Sequence, residues 1–238
     1  MAVALNKLFV SLSAALACSV TAQAAGYPDH PINMVVPFAA GGPTDNVARA
    51  LAEAMRPVLG ETIVVENKGG AGGSIGTAQV ARAKPDGYNI LLMHIGFSTA
   101  PSLYKKPGYD AINGMSPIGL VVDVPMTIIA REDFPPNNIQ ELVQYLKDNQ
   151  DKVSLANAGI GAASHLCGTM LTEALGIELL TVPYKGTAPA IADLMGKQVD
   201  VMCDQTTNTT QQIKSGKVKV YAVTSRERVP TLPDVPTM

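Results

Sequence analysis

An apolar extended run, Ile32–Val36, breaks into Pro37-Phe38-Ala39-Ala40-Gly41-Gly42-Pro43-Thr44-Asp45 and resumes as a helical pattern through Val47, Ala48, Leu51, Ala52 and Met55. A strand, a glycine turn and a helix start in this order leave backbone N–H groups pointing out of a helix N-terminus. Those groups have no intrahelical partner and sit at the positive end of the helix dipole, which makes the turn a place for an anion. The glycines let backbone approach a ligand where a Cβ would block it. Thr44 is placed as the N-cap and Asp45 as a first-turn acid. An ordinary capped βα turn would have the same residues, so the stretch alone leaves both readings open.

The pattern then repeats. Strands are expected at 62–66 and 89–94 and helices at 44–56 and 75–83, with the glycine-rich turn 67–74 between strand and helix and a loop at 95–103. A Pro-, Gly- and polar-rich stretch at 104–117 marks a change of texture, followed by apolar extended runs at 118–122 and 126–130. A second series begins with a helix at 139–149. Strands follow at 152–156, 178–182, 199–203 and 218–224, and helices at 165–175 and 188–195, with Asp204-Gln205-Thr206-Thr207 leading into a short helix that ends at Lys214. Strands alternating with helices of this length predict parallel sheets, with any ligand beyond the carboxyl ends of the strands, where these turns lie. Each half supplies its own set of turns, the layout of a two-lobed clamp.

Several chemistries are excluded by spacing. No Gly-x-Ser-x-Gly elbow is present, and the 69–74 turn ends Gly-Gly-Ser-Ile where a phosphate loop needs Gly-Lys-Ser/Thr. Gly159-Ile160-Gly161 follows a strand and precedes a helix, but Ser164 stands at the third glycine position of a dinucleotide fingerprint, and Glu178 opens the next strand instead of closing it. No Cys/His cluster has metal-ligand spacing. His165 is the best-placed general base, with Asp45 and Asp204 as candidate partners, yet no nucleophile accompanies it; a helix-opening structural histidine explains it as well. Tyr184-Lys185-Gly186-Thr187 offers an aromatic wall, a cation and a hydroxyl to an anion, or only a solvent-facing turn. Thr206 is placed as the cap of the helix after Asp204.

The first 24 residues read as an export signal: Lys7, an apolar core from Leu8 to Ala17, then Ala22-Gln23-Ala24 as a small-x-small cleavage site. The apolar run is shorter than the roughly 20 residues that span a bilayer. Cys18 lies in a poor match to a lipoprotein box. Cys167 and Cys203 could pair in an oxidising compartment, but their apolar helix and strand settings favour buried free thiols. A net charge of −2 with no basic patch argues against nucleic acid as a partner.

Taken together, Val35-Val36-Pro37-Phe38-Ala39-Ala40-Gly41-Gly42-Pro43-Thr44-Asp45, Val65-Glu66-Asn67-Lys68-Gly69-Gly70-Ala71-Gly72-Gly73 and Lys84-Pro85-Asp86-Gly87-Tyr88 resemble the substrate-binding receptors of tripartite tricarboxylate transporters, the Bug family. Gly159-Ile160-Gly161 with Ser164-His165-Leu166, then Val182-Pro183-Tyr184-Lys185-Gly186, and the closing Leu232-Pro233-Asp234-Val235-Pro236-Thr237 extend the match from about residue 28 onward in the family's order.

The resemblance implies an α/β, two-lobed periplasmic-binding-protein fold of type II (Venus flytrap), each lobe a mainly parallel sheet flanked by helices. Residues 1–24 would be the signal peptide, 25–122 the first lobe with 223–238 returning to it, and 123–222 the second. It implies a periplasmic receptor, not an enzyme, that captures a small organic acid anion for the membrane permease subunits of a transporter. It would act as a monomer, without cofactor or metal. The contacts it implies are Phe38, Ala40, Gly42, Thr44 and Asp45 in the first lobe, and Gly159, Gly161, Ser164, His165, Tyr184, Gly186, Thr187 and Asp204 in the second. Pro43 departs from the family's usual Gly or Ser and removes one N–H donor. Family chains continue well past Thr237, so this one reads as shortened at its C-terminus, with an incomplete first lobe exposing apolar surface. A sensor for a membrane signalling system, or an enzyme using His165 or Asp204 as base, are the alternatives.

Overall fold

A computed structural model describes residues 26–238. The export signal, with Lys7, Cys18 and the Ala22-Gln23-Ala24 site, lies outside the described residues. The chain builds two lobes. The first has a three-stranded parallel sheet of β1 (Ile32–Val36), β2 (Ile63–Asn67) and β3 (Asn89–Leu91), in the order β2-β1-β3. Met34 pairs with Val65 on one side and Ile90 on the other, which puts β1 at the centre. Helices α1 (Pro43–Leu59), α2 (Ser74–Ala81) and α3 (Gly96–Leu103) surround it. Ile32, Met34 and Val36 alternate along one face of β1 and bury against Ala48 and Ala52 of α1 and Ile63 of β2.

The second lobe holds β4 (Met126–Arg131), α4 (Ile139–Asp148), β5 (Ser154–Asn157), α5 (Ala163–Leu175), β6 (Leu180–Pro183), α6 (Thr187–Met195), β7 (Val201–Gln205), α7 (Thr206–Lys214) and β8 (Val218–Val223). Its five strands run β6-β5-β7-β4-β8. β5 is parallel to β6 and β7, while β4 is antiparallel to both β7 and β8. Four strands therefore share one direction and β4 opposes them. Successive residues of β4 serve opposite faces: Ile128 packs with Phe134, Leu142, Leu155 and Tyr221, and Ile129 with Ala156, Ile191, Leu194 and Met202. Covering both faces demands the continuous apolar runs seen in this half of the sequence.

The structure differs from the sequence expectations at several places. Helix α1 starts at Pro43 with Gly42 as N-cap, so Thr44 is inside the first turn and does not cap it. Proline's fixed φ suits that first position, where its missing N–H would have had no helical partner. Likewise Gln205 is the N-cap of α7 and Thr206 its first residue. The expected loop 95–103 is helical, as α3. Of the two apolar extended runs, 126–130 becomes β4, whereas 118–122 pairs with nothing among the described residues: Ile118 is 86% exposed and Leu120 88%. An apolar run becomes a strand only where a neighbour accepts its backbone groups.

Two further expectations are corrected. Cys167 and Cys203 are bonded, not free, with Cα atoms 6.0 Å apart, within ordinary disulfide reach. The bridge fastens α5 to β7, and both residues lie against the core that had suggested buried thiols. Residues 223–238 do not return to the first lobe. Val223 donates to the Pro236 carbonyl and bridges to Thr237, and Leu232 and Val235 pack on Val223, Val220 and Ile213. The apolar pair Leu232 and Val235 finds its cover on β8, the strand it follows.

Candidate functional site

The first-lobe turn 37–45 is shaped by Asp45. Its carboxylate is buried and accepts from the Gly41 N–H (2.9 Å), the Arg49 Nε (2.9 Å) and the Asn67 Nδ2 (3.0 Å). Burial alone would raise its pKa, but these three donors overcome that and hold it below the usual carboxylate range. Asp45 is thus a brace inside the lobe, with its acceptor capacity used internally. Asn67 also donates to the Phe38 carbonyl, tying the far end of the turn. Ala40 is exposed at the tip, and the Thr44 and Asp45 amides donate to no group among the described residues.

The second-lobe turn 157–165 is fixed by neutral groups. Asn157 Oδ1 accepts from the Gly159 N–H (2.9 Å), and Ser164 Oγ from the Ala158 N–H (2.8 Å). Gly159 and Gly161 have φ of +111° and +83°, a region that side chains disfavour. The Gly161 N–H reaches His165 Nδ1 at 3.3 Å. An Nδ1 that accepts must be unprotonated, so His165 carries its proton on Nε2, and burial lowers its pKa and keeps it neutral.

The two turns meet across the cleft. A Cβ on Gly42 would stand 3.4 Å from Thr187 Oγ1 and 3.8 Å from the Ala188 N, so the N-terminus of α1 faces that of α6. Thr187 Oγ1 is buried without a hydrogen-bond partner among the described residues. Ala39 N–H donates to the Lys185 carbonyl (3.2 Å), and a Cβ on Gly186 would come within 2.7 Å of that same Ala39 N. Beside this junction is a cavity of about 480 Å³ between the lobes, lined by Ala71, Gly72 and Tyr104 from one and Gly159, Tyr184 and Lys185 from the other. That volume is in the range of small-molecule sites.

Not every expected contact faces this space. Asp204 is fully buried; its carboxyl accepts from the Gln205 N–H (2.8 Å) and the Asn208 Nδ2 (2.5 Å). Burial pushes its pKa up to about 7, against the pull of Asn208, the Gln205 N–H and the nearby Thr187 hydroxyl, which stands close to the carboxyl without reaching hydrogen-bond geometry. The Tyr184 ring lines the cavity, but its hydroxyl donates to Asp193 (2.6 Å), and burial together with that carboxylate pushes its pKa up to about 12. Ser164 is spent on its own turn. The structure therefore brings Gly42, Gly186 and Thr187 together at the junction and puts Gly159 and Tyr184 in the cavity wall beside it. Phe38, Ala40, Thr44, Gly161 and His165 lie on the two turns, while Asp45, Ser164, the Tyr184 hydroxyl and Asp204 are engaged within their own lobes.

Residues that sequence reasoning passed over also join the lobes. Tyr104 OH donates to the Ile160 carbonyl (2.8 Å) and Thr99 Oγ1 to the Gly161 carbonyl (3.0 Å). Thr99 belongs to the stretch 95–103, expected to be loop, and Tyr104 opens the Pro- and Gly-rich stretch 104–117 that follows it; only the general rule about strand ends pointed to either. Among the described residues, no three His, Cys, Asp or Glu side chains gather as a metal site, and no helix is long and apolar enough to cross a membrane.

The fold recurs in known proteins. The chain is similar to the periplasmic binding protein BugD (81% identical, TM-score 0.87, covering 89% of this chain and 71% of that one). It is also similar to MatC of Rhodopseudomonas palustris, whose structure holds malate (39%, TM-score 0.85, covering 89% and 72%). R. palustris Rpa4515 with adipate is 28% identical at a TM-score of 0.85, covering 89% and 71%. An Agrobacterium vitis protein from the intergenic region between ttuE and ttuC' is 51% identical over 212 residues, 89% of this chain and 61% of its own length. The chain thus spans about three fifths of that relative. Residues 47–238 match the model of the tripartite tricarboxylate transporter family receptor, and with that match the chain belongs to this receptor family.

Proposed function

We propose that this chain is a periplasmic solute-binding receptor that closes two lobes on a small organic acid anion and delivers it to a tripartite tricarboxylate-type membrane transporter. One observation carries the reading. Helices α1 and α6, from opposite lobes, meet with their N-termini face to face, Gly42 against Thr187 and Ala188. Two positive dipole ends repel in an empty closed cleft, and a carboxylate between them turns that repulsion into attraction. The amides of Thr44, Asp45, Thr187 and Ala188 and the unpaired Thr187 hydroxyl are the donors for it. Malate in MatC and adipate in Rpa4515 support a carboxylate as the class of ligand. In this scheme residues 1–24 are removed on export, 25–122 supply one jaw and 123–222 the other. Ligand contacts favour the closed state, and hinge motion is the working step.

Thermal shift and calorimetry with malate, adipate, citrate, benzoate and glutamate, each beside a neutral amide or alcohol counterpart, test this. At least one carboxylate should raise the unfolding midpoint while its neutral counterpart does not. A neutral compound that stabilises the chain while no carboxylate does would sink the reading.

A further inference from the structure

Directly after β3, at the carboxyl ends of the first-lobe strands, stands His94. Its Nδ1 accepts the Gly96 N–H at 3.1 Å, and its ring stacks on Phe38 with centroids 4.5 Å apart and planes at 25°. These two contacts fix both the ring plane and the tautomer: because Nδ1 accepts, the proton of the neutral ring is on Nε2. Nε2–H makes no hydrogen bond among the described residues, and it is not one of the buried, unpartnered polar atoms. Nε2 therefore keeps some exposed surface even though protein packs closely around the rest of the ring. Its position is at the cleft. Cε1 of His94 and the Gly161 carbonyl oxygen lie 3.1 and 3.2 Å from the point where a Cβ on Gly96 would stand, which brings the imidazole edge beside the opposite lobe's turn.

We propose that His94 is a specificity-determining contact of the first lobe, whose Nε2–H donates to a second acceptor group of the ligand, a carboxylate oxygen distal to the one held at the helix N-termini. The ligand class this selects is a dicarboxylate, or an acid with an equivalent far-end acceptor. The proposal rests on the receptor reading above and narrows it. Protein packed around the ring pushes its pKa down to about 4, so near neutral pH His94 selects by a directed hydrogen bond without adding a cation to a site already rich in positive dipole. His165 mirrors it from the second lobe, with Nδ1 tied to Gly161 and the proton on Nε2. A histidine needed only to shape the turn before α3 would be served by any side chain that accepts from Gly96.

Two substitutions separate those roles. His94→Asn places an acceptor where Nδ1 stands but does not reach as far as Nε2. His94→Gln reaches the Nε2 position and gives up the turn acceptor. Calorimetry on the full chain compares malate with 3-hydroxybutyrate and adipate with hexanoate, each pair differing by one carboxylate. Wild type should prefer the dicarboxylate of at least one pair. His94→Asn should lower that dicarboxylate's affinity by about tenfold or more, the scale of one hydrogen bond to a charged group, with the monocarboxylate unchanged. His94→Gln should keep most of the preference. Imidazole ¹⁵N shifts of His94 should show a protonated Nε2 that moves on adding the dicarboxylate and not the monocarboxylate. A wild type that binds mono- and dicarboxylates alike, or a His94→Asn chain that keeps the wild-type ratio, overturns the proposal while leaving the receptor reading intact. Absence of binding to any carboxylate overturns the receptor reading itself.

Discussion

The two turns that form the cleft look alike in sequence, yet are held by different forces. In the first lobe the turn at 37–45 is organised by a charge: Asp45 gathers Gly41, Arg49 and Asn67 around one carboxylate. In the second, the turn at 157–165 uses an amide, a hydroxyl and a neutral imidazole, with two glycines in the left-handed region. The second lobe has its own aspartate, Asp204, but buries it where burial outweighs its hydrogen bonds, so the two acids shift in opposite directions. A protein carboxylate aligned with a helix N-terminus already occupies one jaw. Neutral donors in the other jaw leave the site's attraction for an anion undiminished.

The contrast breaks most completely where the turns touch. Gly72, at φ +59°, comes so close to the second lobe that a Cβ would stand 2.0 Å from the Ile160 carbonyl oxygen. Gly72→Ala should therefore block closure while leaving each lobe folded. Carboxylate affinity should fall on the order of 100-fold or more, since contacts from both jaws are lost together. The unfolding midpoint of the ligand-free chain should drop only slightly, by the small cost of placing Ala in a left-handed conformation. Small-angle scattering with ligand added would read the difference. A variant that still compacts like wild type would show that this contact does not limit closure.

Next in size is the pair of aspartates. Asp45→Ala strands the Gly41 N–H and Asn67 Nδ2 and should cost about 2–4 kcal/mol by denaturant titration. Its folded pKa is below the ordinary value, so its stabilisation is complete above about pH 4 and is lost as pH falls through the folded pKa. Asp204 works in the other sense. Its folded pKa of about 7 is raised, so between about pH 4 and 7 the native state holds a proton that the unfolded state has released, and stability declines as pH rises. Asp204→Asn should flatten that decline and leave stability below pH 4 nearly unchanged, whereas Asp45→Asn should remove the acid-side loss. Parallel slopes for the two variants would contradict the opposite shifts.

How far the sequence disclosed this site depends on what each residue answers to. β1, its glycine turn and α1 were legible because apolar period and turn chemistry are local. The same holds for Gly159 and Gly161, whose positive φ is a property of the turn itself. The roles of Asp45 and Asp204 were not legible, since whether a carboxylate points to a ligand or to Arg49 or Asn208 is decided by packing. The pairing of Cys167 with Cys203 needed the distance between α5 and β7. Residues 118–122 show the complementary limit: an apolar extended run pairs as a strand only with a neighbour that the run itself does not specify. His94 and Thr99 were hidden by a misplaced boundary, with β3 expected to reach His94 and α3 expected to be loop, and Tyr104 by the Pro- and Gly-rich stretch it opens.

Tyr104 offers the gentlest way to test whether the lobes are held by more than the ligand. Its hydroxyl crosses to the Ile160 carbonyl at 2.8 Å, and Thr99 makes a parallel bond to Gly161. Neither needs an anion to form, so both favour the closed state in advance and raise the apparent affinity by reducing what the ligand must supply. Tyr104→Phe keeps the ring against the cavity and removes one hydrogen bond, worth about 1 kcal/mol. The expected result is about a fivefold loss of affinity for every carboxylate that binds, carried by a faster off-rate and equal across the panel. That uniformity sets it apart from His94→Asn, which should discriminate between one and two carboxylates. A Tyr104→Phe effect confined to one ligand would move Tyr104 from latch to contact and make the cavity wall part of the recognition surface.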